Sequence, residues 1–117
     1  MKIQINETEY QVKLDHNETV QDLLENLPLE MELSRYAGHE YYSSLPFTPR
    51  FDINRTSHIL AGHIYYWDGW NAFVINFEDC DISPYKVVHI GEIEDSAVSQ
   101  ILSQSGQSVF VNVSHEE

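Results

Sequence analysis

The six histidines are the side chains of this sequence with the widest range of chemistry, because imidazole both binds metals and transfers protons. They lie at His16, His39, His58, His63, His89 and His115. Zinc ligands often stand at short helical spacings, and the sequence contains no HxH or HxxxH pair. We therefore expect hydrogen-bonded or solvated histidines and predict neither a metal nor a cofactor. Convergence of distant histidines in the folded chain is the open alternative.

The acidic segment 78–81, with the sequence EDCD, offers calcium ligands and a thiol. It lacks the central glycine and the distal glutamate of an EF-hand, so we interpret it as a solvated acidic turn. Cys80 stands between Asp79 and Asp81, whose negative charges disfavour the thiolate that a nucleophile needs. We therefore predict no catalytic residue in this segment, and no catalytic motif elsewhere in the chain.

Aromatic side chains, 12% of the sequence, are concentrated in residues 36–47 and 65–77. A strand alternates its side chains between two faces, so His63, Tyr65 and Trp67 share one face of their strand. In one interpretation, one aromatic set fills the core and the other covers its outside beneath helices. In the other interpretation, the rings form a concave pocket that binds a small ligand.

The composition restricts the class of protein to an acidic domain with one core. The 117 residues include 19 acidic and 6 basic side chains, for a net charge of -13. Such a chain is repelled by phosphate backbones and anionic membranes, so we predict no nucleic-acid and no membrane partner. We expect one domain over residues 1–117, as a monomer or small homo-oligomer. The N-terminal residues lack the apolar core of a signal peptide, which predicts a cytoplasmic protein.

Short strands and two helices must position these side chains. Alternation of apolar and polar residues predicts strands at 2–6, 10–14, 29–34, 63–67, 72–77, 86–90 and 109–113. Helical spacing predicts one helix from an N-cap at Thr19 to Pro28, and a second from Asp95 or Ser96 to Gly106. Segment 35–47 is expected to be a bent strand or loop, and the polar connection 48–58 is expected to be mobile.

The order of these elements indicates a barrel. Helices do not alternate with strands, which disfavours a parallel sheet, and closure of antiparallel strands removes exposed edges. We predict an all-β protein, a closed antiparallel barrel of about eight strands capped by two short α-helices. The predicted core consists of Ile3, Ile5, Val12, Leu14, Val20, Leu24, Leu33, Ile75, Ile90, Ile101, Val109 and Val111.

Three segments give this order a family resemblance: LPLEMELSRYAGHEYYSSLPF (27–47), AGHIYYWDGWNAFVINF (61–77) and VVHIGEIED (87–95). Their glycines, Leu-Pro pairs and aromatics resemble the cyclophilin-like domains of bacteria and archaea, a group largely of unknown function. The resemblance implies a cyclophilin-like barrel. His63 departs from the pattern, because family members more often carry Asp after that glycine.

The same resemblance argues against catalysis. True cyclophilins isomerise the bond before proline with an arginine set among aromatic residues, and the usual Phe-His-Arg segment is absent here. Arg35, Arg50 and Arg55 all lie outside that context. The expected function is non-catalytic binding of a small molecule or peptide segment, and the alternative is a weak peptidyl-prolyl cis-trans isomerase.

Cyclophilin ligands bind on the outer face of the barrel, which implies a groove here. The candidate residues are Tyr41, Tyr42, Phe47, Arg50, His63, Tyr65, Trp67 and Phe77. Arg50 is a rare cation in this acidic chain, so an anionic or carbonyl-bearing ligand would find its best partner there. The alternative is that Arg50 pairs with surface carboxylates such as Asp52.

Overall fold

Ten strands and two helices make up the computed structural model, which describes residues 1–116. The barrel strands are β1 (Lys2–Ile5), β2 (Thr8–Leu14), β3 (Leu29–Tyr36), β4 (Glu40–Ser44), β6 (His63–Trp67), β7 (Ala72–Asn76), β9 (Val88–Ile93) and β10 (Ser108–Ser114). They close antiparallel in the order β1-β10-β3-β4-β7-β6-β9-β2. The predicted closed antiparallel barrel is therefore confirmed, together with its two short helices.

The barrel interior is filled by the apolar side chains that occupy every second position of the strands. In β3, Leu29 and Leu33 are buried while Glu30 and Glu32 face solvent. The neighbouring strand continues the layer, since Val109 lies opposite Leu33 in the register between β10 and β3. The apolar face of each strand thus meets the apolar faces of its neighbours inside the barrel.

The helices α1 (Glu18–Glu25) and α2 (Val98–Ser103) add buried side chains to the barrel core. The N-cap of α1 is Asn17, whose side chain accepts a hydrogen bond from Val20 N at 2.8 Å, and not Thr19 as predicted. Thr19 is buried in the first turn, where its hydroxyl donates to Arg50 O at 2.5 Å and accepts from Asp52 N at 3.0 Å. These bonds anchor the connection 48–58, which was expected to be mobile.

Three predicted core residues differ from the structure. Ile101 is 48% exposed, because α2 begins at Val98 and turns Val98 and Leu102 toward the barrel instead. Leu14 and Leu24 are partly buried at the margin of the core. The other predicted core residues are buried.

Two short strands lie outside the barrel and form a ribbon that the sequence did not predict. These strands, β5 (His58–Ile59) and β8 (Cys80–Asp81), pair antiparallel with each other. A second apolar cluster, separate from the barrel core, joins this ribbon to the outer face of β6 and β7. It consists of Ile59, Tyr65, Ala72, Val74 and Val87.

No helix within residues 1–116 has the length and apolar character needed to span a membrane.

Gly91 lies inside β9, at a close approach to β2, whereas the predicted strand 86–90 stopped before this glycine. A Cβ atom at this position would lie 2.7 Å from Lys13 O and 2.8 Å from Val12 Cγ1. We expect Gly91→Ala to lower the free energy of unfolding by about 1–3 kcal/mol in chemical denaturation. The control is Gly106→Ala, where the added methyl group meets no heavy atom within 4 Å. Equal stability of the two variants would contradict this packing.

The burial difference within α2 gives a second prediction. We expect Leu102→Ala to lower the free energy of unfolding by about 2–5 kcal/mol, because Leu102 is fully buried and its truncation leaves a cavity in the core. Ile101→Ala, one residue away on the exposed face, should cost less than about 1 kcal/mol. Denaturant titration of both variants measures the difference. A larger loss of stability in Ile101→Ala than in Leu102→Ala would contradict the orientation of α2 on the barrel.

Candidate functional site

A cleft of about 450 Å³ lies on the outer face of the barrel, between β6, β7 and the β5–β8 ribbon. This volume is in the range of pockets that hold small molecules. Its floor is aliphatic and comprises Ile59, Val74, Ile82 and Val87. We call it the aromatic cleft, because five aromatic residues form much of its remaining wall: Tyr36, Tyr65, Trp67, Trp70 and Tyr85.

The aromatic wall is held by edge-to-face ring contacts. The ring centroids of Trp67 and Trp70 are 4.7 Å apart at 67°, and those of Tyr36 and Trp70 are 5.1 Å apart at 77°. Tyr85 extends the wall, 6.0 Å from Trp67 at 79°. Alternation in β6 points Trp67 outward, and the short 3₁₀ turn Asp68–Trp70 brings the second indole back against it. Such pairs fix the ring planes without filling the space between them.

Tyr65 joins the cleft to the ribbon. Its ring is buried in the second apolar cluster, and its hydroxyl accepts a hydrogen bond from Leu60 N at 2.9 Å. Burial raises the pKa of this phenol. Tyr65 is therefore a neutral structural strap at one side of the cleft.

The polar end of the cleft contains His39 and Glu40. The Nδ1 atom of His39 lies 3.1 Å from Asn76 Oδ1 and 3.5 Å from Glu40 Oε1. Because the Asn76 amide nitrogen donates to Glu78 O at 2.6 Å, its oxygen must accept, so the Nδ1 proton of His39 is directed to Asn76. Burial raises the pKa of the Glu40 carboxyl, and the charge of His39 partly opposes that rise.

Asp81 supplies a second carboxylate, on the ribbon side of the cleft. It accepts hydrogen bonds from Ser83 N at 2.9 Å and Ser83 Oγ at 2.7 Å. These bonds lower the pKa of Asp81, which holds it ionised at neutral pH. The cleft thus has an apolar floor, an aromatic wall and an acidic group at each of two sides.

The structure brings some of the sequence-predicted groove residues together. Tyr65 and Trp67 line the cleft, and Tyr42 borders it, with its ring 5.0 Å from that of Trp70. Tyr41 and Phe77 lie inside the barrel, where the Tyr41 hydroxyl donates to Gly106 O at 2.6 Å. Strand alternation is the reason, because an outward Tyr42 requires an inward Tyr41.

Phe47 and Arg50 also lie away from the cleft. Phe47 packs against the barrel core. Arg50 is bound to α1, with Nη1 2.7 Å from Glu18 Oε2 and Nη2 2.9 Å from Asp22 Oδ1. The expectation that Arg50 pairs with carboxylates therefore holds, but its partners belong to α1, and Asp52 instead accepts from Glu18 N at 3.0 Å.

His63 belongs to a row of side chains on the outer face of β6 and β9. Its Nδ1 atom lies 2.9 Å from His89 Nε2, and His89 Nδ1 lies 3.0 Å from Asp15 Oδ2. At the other end, His63 Nε2 is 3.5 Å from Glu92 Oε2. Burial lowers the pKa of His63, and the charge of His89 lowers it further. Two distant histidines thus converge, although residues 1–116 hold no group of three or more His, Cys, Asp or Glu side chains that could hold a metal ion.

Several cleft residues were not predicted from the sequence, notably Tyr36, His39, Glu40, Trp70 and Tyr85. The alternation already used for β6 would have found Glu40 if applied to residues 40–44, since it shares the outer face with Tyr42. The ribbon residues carry no comparable signal, because two-residue strands are too short to show a period.

Comparison with known protein families gives a match over most of the chain. The sequence model described as the cyclophilin-like family matches residues 3–114. No curated protein and no solved structure matches the chain significantly.

The His63–His89 contact predicts a pH response. The pKa of His63 in the folded protein should lie below its ordinary value of 6.5. His89→Asn should raise the pKa of His63 but leave it below 6.5, because burial is the larger cause of the shift. Since the pKa is lower in the folded state, the unfolded chain binds this proton first, and stability falls as pH drops from 6.5 to the folded pKa. NMR titration of the imidazole nitrogens measures both effects. The exposed His115→Asn is the control, and an unchanged His63 pKa in His89→Asn would contradict the coupling.

Proposed function

The chain belongs to the cyclophilin-like family, and on this basis we propose that it is a non-catalytic binding domain that holds a small molecule in the aromatic cleft. The cleft itself is the observation that carries the proposal. It combines about 450 Å³ of concave space, an apolar floor and a few polar groups at its sides, which is the usual composition of small-molecule sites.

Exposure of the rings supports binding over a purely structural role. Tyr36, Trp70 and Tyr85 are each at least 40% exposed, although they contact other aromatic rings. When a ligand covers large apolar surfaces that are exposed in a concave site, their removal from water favours binding. A ligand that is flat and partly apolar would bury these rings against the aliphatic floor.

No observation favours the isomerase alternative. Proline isomerisation in cyclophilins needs an arginine free to contact the substrate, and each arginine here has partners within the fold. Arg35 donates to Ser103 O at 2.9 Å and Ser105 O at 3.0 Å, at the C-terminal end of α2. Arg50 is bound by α1, and the Arg55 guanidinium lies 3.6 Å from the centre of the Phe51 ring.

Binding in the cleft can be tested with a neutral fluorescent probe. Prodan, an uncharged naphthalene dye, should bind and shift its emission to the blue, and Tyr85→Ala should weaken its affinity about fivefold or more through loss of an aromatic wall. The matched control is Phe110→Ala on the outer face of β10, because Phe110 is 63% exposed and Tyr85 is 60% exposed. Arg50→Ala should also keep full affinity.

Two results would overturn the proposal. One is the absence of a saturable signal with the wild-type protein. The other is equal weakening by Tyr85→Ala and Phe110→Ala, which would place the dye on exposed aromatic surface in general.

A further inference from the structure

We infer that the aromatic cleft selects organic cations, meaning a protonated amine or quaternary ammonium group carried on an apolar or aromatic body. This inference rests on the proposed binding function and names the ligand class. It joins three features of the cleft: its perpendicular aromatic rings, the carboxylate of Glu40 and the charges of the residues around them.

The rings supply the first attraction. Trp67, Trp70 and Tyr36 meet at large interplanar angles, so the wall presents ring faces in more than one direction. The faces of aromatic rings carry negative electrostatic potential, and Trp binds cations more strongly than Tyr or Phe. An ammonium group enclosed by several such faces replaces part of its hydration shell with favourable contacts.

Glu40 supplies the second attraction, because its carboxylate has no strong partner among residues 1–116. Its ion-pair contact is with His39 Nδ1 at 3.5 Å, and that nitrogen directs its proton to Asn76. The side chain is also largely covered, with 14% of its surface exposed. A largely covered carboxylate without a strong partner is stabilised when a ligand brings a positive charge beside it.

Charge around the cleft is the third feature. Among the described residues that line it, none is Lys or Arg, whereas Glu40 and Asp81 lie at two of its sides. The net charge of -13 adds a long-range attraction for cations and repels anions. The apolar floor excludes a bare inorganic ion as the best ligand, because such an ion would lose its water without gaining oxygen ligands there.

The test compares two molecules of the same shape that differ in charge. The cation is (3-hydroxyphenyl)trimethylammonium and the neutral isostere is 3-tert-butylphenol, each titrated into the wild-type protein by calorimetry at low and moderate salt. We expect the cation to bind about tenfold more tightly, in line with enclosed cation–π and carboxylate contacts. The difference should shrink as salt rises.

Variants then locate the selectivity. Glu40→Gln should reduce the affinity ratio between cation and isostere to about threefold, because the ring faces remain. Glu30→Gln is the matched control, since it removes one charge from the outer face of β3 away from the cleft and should keep the full ratio. Melting temperatures of both variants confirm that they are folded.

The outcomes separate this inference from the proposed function. Equal affinity for the two probes, or tighter binding of the neutral one, would overturn the cation selectivity and leave small-molecule binding standing. An equal fall of the ratio in Glu40→Gln and Glu30→Gln would assign it to net charge and overturn the role of Glu40. If neither probe nor the neutral dye binds, the binding function itself fails.

Discussion

The pleat of the barrel strands is the constraint on which the rest of this structure depends. In β4, β6 and β7, apolar and aromatic residues occur at consecutive positions, and the pleat sends neighbours to opposite faces. Tyr41 and Tyr66 enter the barrel core, whereas Tyr42 and Tyr65 are left on its outside. Water contact with a large aromatic surface is unfavourable. On this outer face, the β5–β8 ribbon covers one part and the cleft forms over the other.

The arginines and the carboxylates of the cleft also lie in different parts of the structure. The arginines serve the scaffold: Arg35 completes the C-terminal end of α2, Arg50 ties the long connection to α1, and Arg55 covers Phe51. Each is therefore satisfied by backbone carbonyls, carboxylates or an aromatic ring of the fold. The cleft is left with carboxylates and aromatic rings, because all three arginines are used by the scaffold.

The sequence was sufficient for the barrel and insufficient for the cleft. The strands and most of the core followed from alternation, and the helices from helical spacing, because burial of one face is a local signal in both kinds of element. Closure of the barrel followed from the order of the elements and from the removal of exposed strand edges. Ile101 was wrongly predicted to be buried, because the composition of a six-residue helix does not determine which of its apolar residues face the barrel. Arg50 was misassigned because pairing with Glu18 and Asp22 depends on how the connection crosses α1. The cleft needs residues that lie far apart in sequence, such as Tyr36 and Tyr85, which no local pattern relates.

The ribbon that covers the second cluster is held by few bonds. Its strands contribute two residues each. Beside the apolar contacts of the second cluster, the hydrogen bonds next to the ribbon include Leu60 N to the Tyr65 hydroxyl and the bridge between Thr56 and Val87. Segments with so few cross-strand bonds open locally at a lower free energy than the whole domain unfolds. A molecule seated between ribbon and barrel raises the free energy of that local opening. Occupancy of the cleft and protection of the ribbon amides from hydrogen exchange are therefore thermodynamically linked, in the way that any ligand protects the segment it bridges.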